Sequence, residues 1–153
     1  MSIVLFQILS VIAATSTALL AGIYFIFHNT VMIVLAEQDG IKTMNRINQV
    51  ILNKTFLLIF MLSPLSSLLM LAIGLAEGLL TFHSPLLYGA LLAILGFLIT
   101  IRFNVPLNNS LALVTDSDRN VWEHYLVHWV TWNSRRFYLS IIAGAAIVGG
   151  FVF

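Results

Sequence analysis

Three groups of side chains have the types and spacing to do chemistry. The first is the run 102–109, where Asn104, Asn108 and Asn109 crowd around Pro106. Carboxamides at that density either satisfy backbone groups at a helix end or line a pocket mouth with donors and acceptors. The second is the segment 122–136. Turned at about 100° per residue, Trp122, Tyr125, Trp129, Trp132, Asn133 and Arg136 share one narrow face. An aromatic wall ending in an amide and a guanidinium suits a lipophilic ligand that bears oxygen or negative charge. The same rings also suit an aromatic belt at a membrane interface. The third group is His124 and His128, one helical turn apart on the opposite face. That spacing lets two imidazoles share a metal, with His28 as a third ligand, or lets one imidazole act as a general base. No carboxylate pattern accompanies them, so no metal site is expected.

Other chemistry is excluded. The chain has no Cys, which removes disulfides, thiolate metal sites, iron–sulfur clusters and a Cys nucleophile. The acidic residues Glu37, Asp39, Glu77, Asp116, Asp118 and Glu123 all lie outside the apolar stretches. No carboxylate relay of the kind that ion pumps need is present. There is no Gly-rich phosphate loop and no Gly-x-Ser-x-Gly elbow.

The elements that must position these groups follow from composition. The 153 residues are 60% hydrophobic and 8% charged, with a formal net charge of +1. Soluble domains are about a quarter charged. Such a chain is an integral membrane protein, and it lacks the charge for nucleic-acid binding. Residues 2–36, 55–76, 78–101 and 137–153 contain no Asp, Glu, Lys or Arg. Each is about long enough to cross the bilayer as a helix. The fold class expected is all-α, a transmembrane four-helix bundle with further amphipathic helices at one polar end. The first stretch lacks a basic flank and a cleavage site, so it reads as a retained span.

All Lys and Arg residues fall in the first and third connections, and so do the Asn residues, counting Asn29 in the last turn of the first stretch at the interface. The positive-inside rule then places this polar end in the cytoplasm and both termini outside, in the cytoplasmic membrane. Ile41, Met44, Asn48, Ile51 and Leu52 share one helical face, and Lys42, Asn45, Arg46, Gln49 and Asn53 share the other. Asp118 is a candidate N-cap for a helix running to Arg136. The third span is expected to end near Asn104, because Pro106 disfavours helical backbone at Val105. The chain reads as one membrane domain, 1–153, with a weak echo between 1–76 and 77–153.

These residues resemble a known family. The run Thr100-Ile101-Arg102-Phe103-Asn104-Val105-Pro106-Leu107-Asn108-Asn109 looks like its signature after the third span. Trp122, Tyr125, Trp129, Trp132-Asn133 and Arg136 look like a second signature. Asn45-Arg46-Ile47-Asn48 with Asn53 and Phe56, and the stretch 31–35, are similar to weaker elements. The family is the anthrone oxygenase-like family of small four-helix membrane proteins. The chain departs from its pattern at Ile33 and Lys54, where prolines are frequent. Some members oxidise anthrones to anthraquinones without metal or flavin, so the resemblance implies no cofactor.

Three readings follow. In the first, the protein is an oxygenase acting on an aromatic or quinol-like substrate drawn from the membrane. Arg136 and Asn104, with Asn108 and Asn133, would stabilise a developing oxyanion. His124, His128 or Tyr125 would be the base; the sequence does not choose among them. Trp122, Trp129, Trp132 and Asn48 would complete the binding wall. In the second, the same pocket holds a lipophilic molecule without turning it over. In the third, the polar end is a rigid cap in a membrane assembly. The partners expected are a lipophilic small molecule and membrane lipid, with no nucleic acid, and homo-oligomers fit each reading.

Overall fold

The computed structural model describes residues 2–114 and 118–151; these are helical or turn, with no strand among them. The elements are α1 (Ser2–Ile26), a π-helical turn π1 (Phe27–Val31), α2 (Met32–Ala36), α3 (Ile41–Ile51), α4 (Lys54–Ala76), α5 (Pro85–Ile99), a second π turn π2 (Thr100–Asn104), α6 (Val105–Ala112) and α7 (Arg119–Gly149). The expected all-α membrane bundle is the fold that forms.

Among the described residues, three continuous helical rods are long and apolar enough to span a membrane: Ser2–Ala36, Lys54–Ala76 and Pro85–Ala112. The fourth long helix, α7, packs its apolar half against both α1 and α5, while α4 covers the other side of α1 and α5. Lipid tails give helices no hydrophobic reason to associate, so close approach of small residues matters. Ala13 and Ala14 of α1 meet Ile147 of α7. Thr17 and Ser63 share a hydrogen bond of 2.8 Å between α1 and α4.

Gly89 sets the closest approach of α5 to α7. A Cβ at this position would lie 2.8 Å from the Ala143 carbonyl oxygen and 2.6 Å from Ile147 Cγ1. Backbone cannot step aside as a side chain can. Gly89→Ala is therefore expected to destabilise the bundle by about 1–3 kcal/mol, seen as a lower Tm in detergent.

α3 is amphipathic, as its spacing predicts. Ile41 and Met44 are buried in one cluster with Phe27, Met32, Leu35, Leu111, Trp122, Tyr125 and Trp129. The helix is thus folded against the polar end of the bundle. Asn45 Nδ2 ties it to α6 by donating to the Leu111 carbonyl at 3.1 Å. Asn53 then caps α4, its Oδ1 accepting from the Phe56 N–H at 3.1 Å. At the opposite end, Gly78 has φ +66°, the left-handed conformation that lets α4 stop and the chain reverse.

Three sequence expectations are corrected. The third rod starts at Pro85 rather than Gly78, since residues 77–84 form a connection of turns and irregular backbone. It also does not end at Asn104. The Val105 N–H reaches back five residues to the Thr100 carbonyl, and the helix continues into α6 with Pro106 in its first turn. The wider π turn absorbs the local conflict that proline creates. Finally, the helix capped by Asp118 does not stop at Arg136. Asp118 accepts from the Asn120 and Val121 N–H groups, as a cap should, but α7 then runs unbroken for 31 residues, about 46 Å. The expected surface helix and the expected fourth span are one rod, and Asn133 lies in its middle rather than at a boundary. Asp116 and the last two residues of the apolar stretch ending at Phe153 lie outside the described residues.

Candidate functional site

A cavity of about 350 Å³ opens at the polar end, enclosed by α1 and π1, α3, the start of α4, π2 with α6, and α7. Its interior wall is built from Tyr24, Phe27, Phe60, Thr100, Asn104, Trp129 and Arg136, with Asn45 and Asn48 of α3 closing it from below. Its mouth is lined by exposed Gln49, Leu52, Leu57, Asn109 and Ala112. Leu52 and Leu57 are 62% and 41% exposed and lie where the second span begins, so the mouth faces the membrane boundary.

Arg136 is the central polar group. It is 7% exposed. Its Nε and Nη2 donate to Asn133 Oδ1 at 3.2 and 2.9 Å, and Nη1 donates to Thr100 Oγ1 at 3.3 Å. The guanidinium lies 4.2 Å from the Tyr24 ring centroid and 5.2 Å from that of Trp129. A guanidinium carries five N–H donors, and these bonds use one on each nitrogen, leaving a second on Nη1 and on Nη2. Among the described residues, no Asp or Glu lines the cavity. A buried cation held by neutral partners is costly unless an anion joins it.

The arginine is aimed by the residues around it. Asn133 is fully buried and donates from Nδ2 to the Tyr24 carbonyl at 2.9 Å. Tyr24 sits one turn before π1, where the Met32 N–H bonds the Phe27 carbonyl instead of keeping the α register. The amide of Asn133 reaches this last turn of α1 from α7 and so ties the two helices together beside the π turn. Its oxygen is thereby fixed toward Arg136. Thr100 donates to the Gly96 carbonyl at 3.1 Å, which leaves its oxygen to accept from Arg136.

The carboxamides around the cavity are only partly satisfied. Asn104 Nδ2 donates to the Trp129 carbonyl at 3.3 Å, while its Oδ1 is buried with no partner. Asn45 Oδ1 and Asn48 Nδ2 are likewise buried and unpartnered. Buried polar groups are nearly always bonded, so three orphans around one cavity describe the complement of a ligand. Asn108 differs: its Oδ1 accepts from both the Tyr125 hydroxyl and Trp129 Nε1 at 2.8 Å. Burial pushes the Tyr125 phenol above its ordinary pKa, which keeps it a donor.

The structure therefore brings together five of the residues selected from sequence: Arg136, Asn104, Asn108, Trp129 and Asn48. Tyr125 and Asn133 stand behind them and orient them. Trp122 is buried further along α7, in the cluster with Met44 and Leu111. Trp132 turns outward and stacks on Phe103, with centroids 3.5 Å apart and planes 7° apart, while Arg135 covers its other face at 4.2 Å. One turn of α7 carries it past the edge of the buried stripe. His124 and His128 are exposed on the far side of α7, their rings 4.2 Å apart. His28 is engaged by Ser134 Oγ at 2.9 Å. No three of His, Asp and Glu gather at one point among the described residues.

Sequence reasoning gave no chemical role to Tyr24, Phe27, Phe60 or Thr100, although Thr100 opens the signature run 100–109. All four lie inside apolar stretches, where they read as ordinary span residues. The usable signal was the position of Tyr24 and Thr100 near the polar ends of their spans. A family model described as Anthrone oxygenase matches residues 51–146, more than half of the chain. The match includes Thr100, Asn104, Asn108, Trp129 and Arg136; Tyr24, Asn45 and Asn48 lie outside it. Nothing among curated proteins or solved structures matches the chain.

Proposed function

The chain belongs to the anthrone oxygenase family, and on that premise we propose that its cavity takes a planar lipophilic aromatic carrying an acidic hydroxyl or enol and promotes its oxidation by dioxygen. The observation that carries the reading is Arg136, a buried cation with spare N–H donors inside an aromatic-walled cavity. An activated ring CH2 becomes C=O. One oxygen atom of dioxygen enters the product, and the other leaves as water with the two hydrogens. Loss of the first proton gives an enolate whose charge resides on oxygen. Arg136 and the amide donor of Asn48 are placed to stabilise that charge before dioxygen adds at carbon. Tyr24, Phe27, Phe60 and Trp129 hold the ring plane.

The lipophilic substrate reaches the cavity from the bilayer, between Leu52 and Leu57 on one side and Ala112 on the other. The polar end faces the cytoplasm, because the basic residues gather there and the opposite connection has none. A C-terminal reporter is expected to read outside, and a cytoplasmic signal would reverse the orientation.

The test is oxygen consumption by the purified protein with anthrone as probe, alongside product absorbance. Uptake of one dioxygen per anthraquinone formed, above the rate in empty micelles, supports the reading. Tight anthrone binding with no added uptake would make the protein a holder of lipophilic aromatics. The exposed His pair faces away from the cavity, so His124→Ala with His128→Ala is expected to keep most of the rate. Loss of turnover in that variant would place the chemistry on the outer face of α7.

A further inference from the structure

Among the described residues, the cavity contains a cation but no group suited to take a proton. Among the residues that line it, only Tyr24 and Arg136 are ionisable. From α3 it receives Asn45, Asn48 and Gln49, while Lys42 and Arg46 are exposed outside it. From α4 come Phe56, Leu57 and Phe60, while Lys54 is exposed. Thr100, Asn104, Asn108 and Asn109 come from π2 and α6, and Arg102 is exposed. Tyr125 of α7 stands behind Asn108 and donates to it. His124 and His128 are on the other side of α7, and His28 is held by Ser134. Carboxylates and imidazoles, the usual general bases, are absent from the lining.

The unused groups define what would fill them. Arg136 offers donors and positive charge, which match an oxyanion. Asn104 Oδ1 and Asn45 Oδ1 are buried acceptors without donors. An oxyanion there would be repelled, whereas a neutral hydroxyl would bond. Asn48 Nδ2 is a buried donor that makes no hydrogen bond of ordinary geometry, with the Tyr125 hydroxyl beside it. One ionised oxygen, one intact hydroxyl and a flat apolar body match the cation, the apolar walls and one of the two acceptors.

We infer that the cavity takes a dihydroxy aromatic as its mono-anion, with the lost proton surrendered to water at the mouth rather than to a side chain. The O–H bond breaks heterolytically, the electron pair stays on the oxygen beside Arg136, and the second hydroxyl keeps its hydrogen for Asn104 or Asn45. Polar Gln49 and Asn109 at the mouth give the proton a wet path out. The inference rests on the proposed binding of hydroxyaromatics and adds how they are activated: the protein shifts the acidity of its ligand instead of supplying a base. Substrates would then be sorted by acidity as well as by shape.

The test uses 1,2-dihydroxyanthraquinone, whose colour reports ionisation and which the proposed oxidation does not consume. Its ionisation midpoint is measured when bound to the full-length protein and in empty micelles of the same detergent. The bound midpoint is expected to fall by one pH unit or more, at least tenfold in preference for the anion, which is about 1.4 kcal/mol. Binding between the two midpoints should also release protons into a weakly buffered solution. Arg136→Gln should bind the dye with no downward shift. Thr100→Val, which removes one anchor of the guanidinium and little volume, should give a smaller shift. Asn104→Leu should weaken both dye forms and leave the midpoint low.

Binding with an unchanged or raised midpoint would overturn the inference and leave the binding site standing. So would a full downward shift in Arg136→Gln. Failure of the dye to bind the folded wild-type protein would remove the hydroxyaromatic site itself, and this inference with it.

Discussion

Arg136→Gln is expected to lower kcat/KM for oxidation of an accepted hydroxyaromatic by about 100-fold or more, while the folded protein becomes no less stable. The rate effect follows from removing a preorganised positive donor at the place where charge develops; deleting one such donor costs about 10²–10³ in rate. The stability effect has a different origin. Arg136 is buried against Asn133 and Thr100 with no carboxylate in the cavity lining, so the empty site carries a desolvated cation. Glutamine removes that charge, and its amide can still donate to Asn133 Oδ1, which would otherwise be orphaned. Neutral replacement of buried charge is often neutral or stabilising. A Tm equal to or above wild type, together with the rate loss, would mark Arg136 as a residue held for function at the expense of stability. Arg136→Lys keeps the charge but loses the planar fork that bonds Asn133 and Thr100 together. It should recover part of the rate. Equal rates in wild type and Arg136→Gln would remove the guanidinium from the mechanism.

Asn108→Leu carries the largest expected loss of stability, about 2–5 kcal/mol, because one substitution strands two buried donors. The Tyr125 hydroxyl and Trp129 Nε1 both converge on Asn108 Oδ1 at 2.8 Å. Trp129 is both a wall of the cavity and part of the buried cluster around Met44, so a stranded indole N–H there disturbs both. Thermal unfolding in detergent reads the loss, and an altered Trp emission should accompany it. Asn108→Asp retains an oxygen that accepts from both donors and should regain most of the stability. Asn104→Leu gives the contrast. Its Oδ1 has no partner to strand and its Nδ2 serves a single helix carbonyl, so the expected loss of Tm is smaller. A loss in Asn104→Leu equal to that in Asn108→Leu would contradict the division between the two amides. Asn108 holds the wall in place, whereas Asn104 is left open for the ligand.

Much of this architecture is written locally. Charge-free stretches long enough to cross a bilayer cannot be left in water, and their boundaries alone specify an all-α membrane bundle with one polar end. The stripe Trp122, Tyr125, Trp129, Asn133 and Arg136 is legible because a helix repeats its faces every three to four residues. Residues 102–109 are legible because amides at a span end must bond something. What the chain could not declare were the events that depend on contacts between rods. Whether Pro106 ends a helix or is absorbed by a π turn is decided by how π2 packs on α7. Whether Asn133 caps a helix or sits inside one is decided by the continuity of α7 and by the Tyr24 carbonyl that α1 presents to it. The same one-turn drift that keeps Trp129 in the cavity carries Trp132 out onto Phe103. Tyr24 and Thr100 read as span residues until two helices bring them to one guanidinium. The absence of a base around that guanidinium is likewise visible only in three dimensions, because periodicity orders residues along one rod and a cavity is enclosed by several.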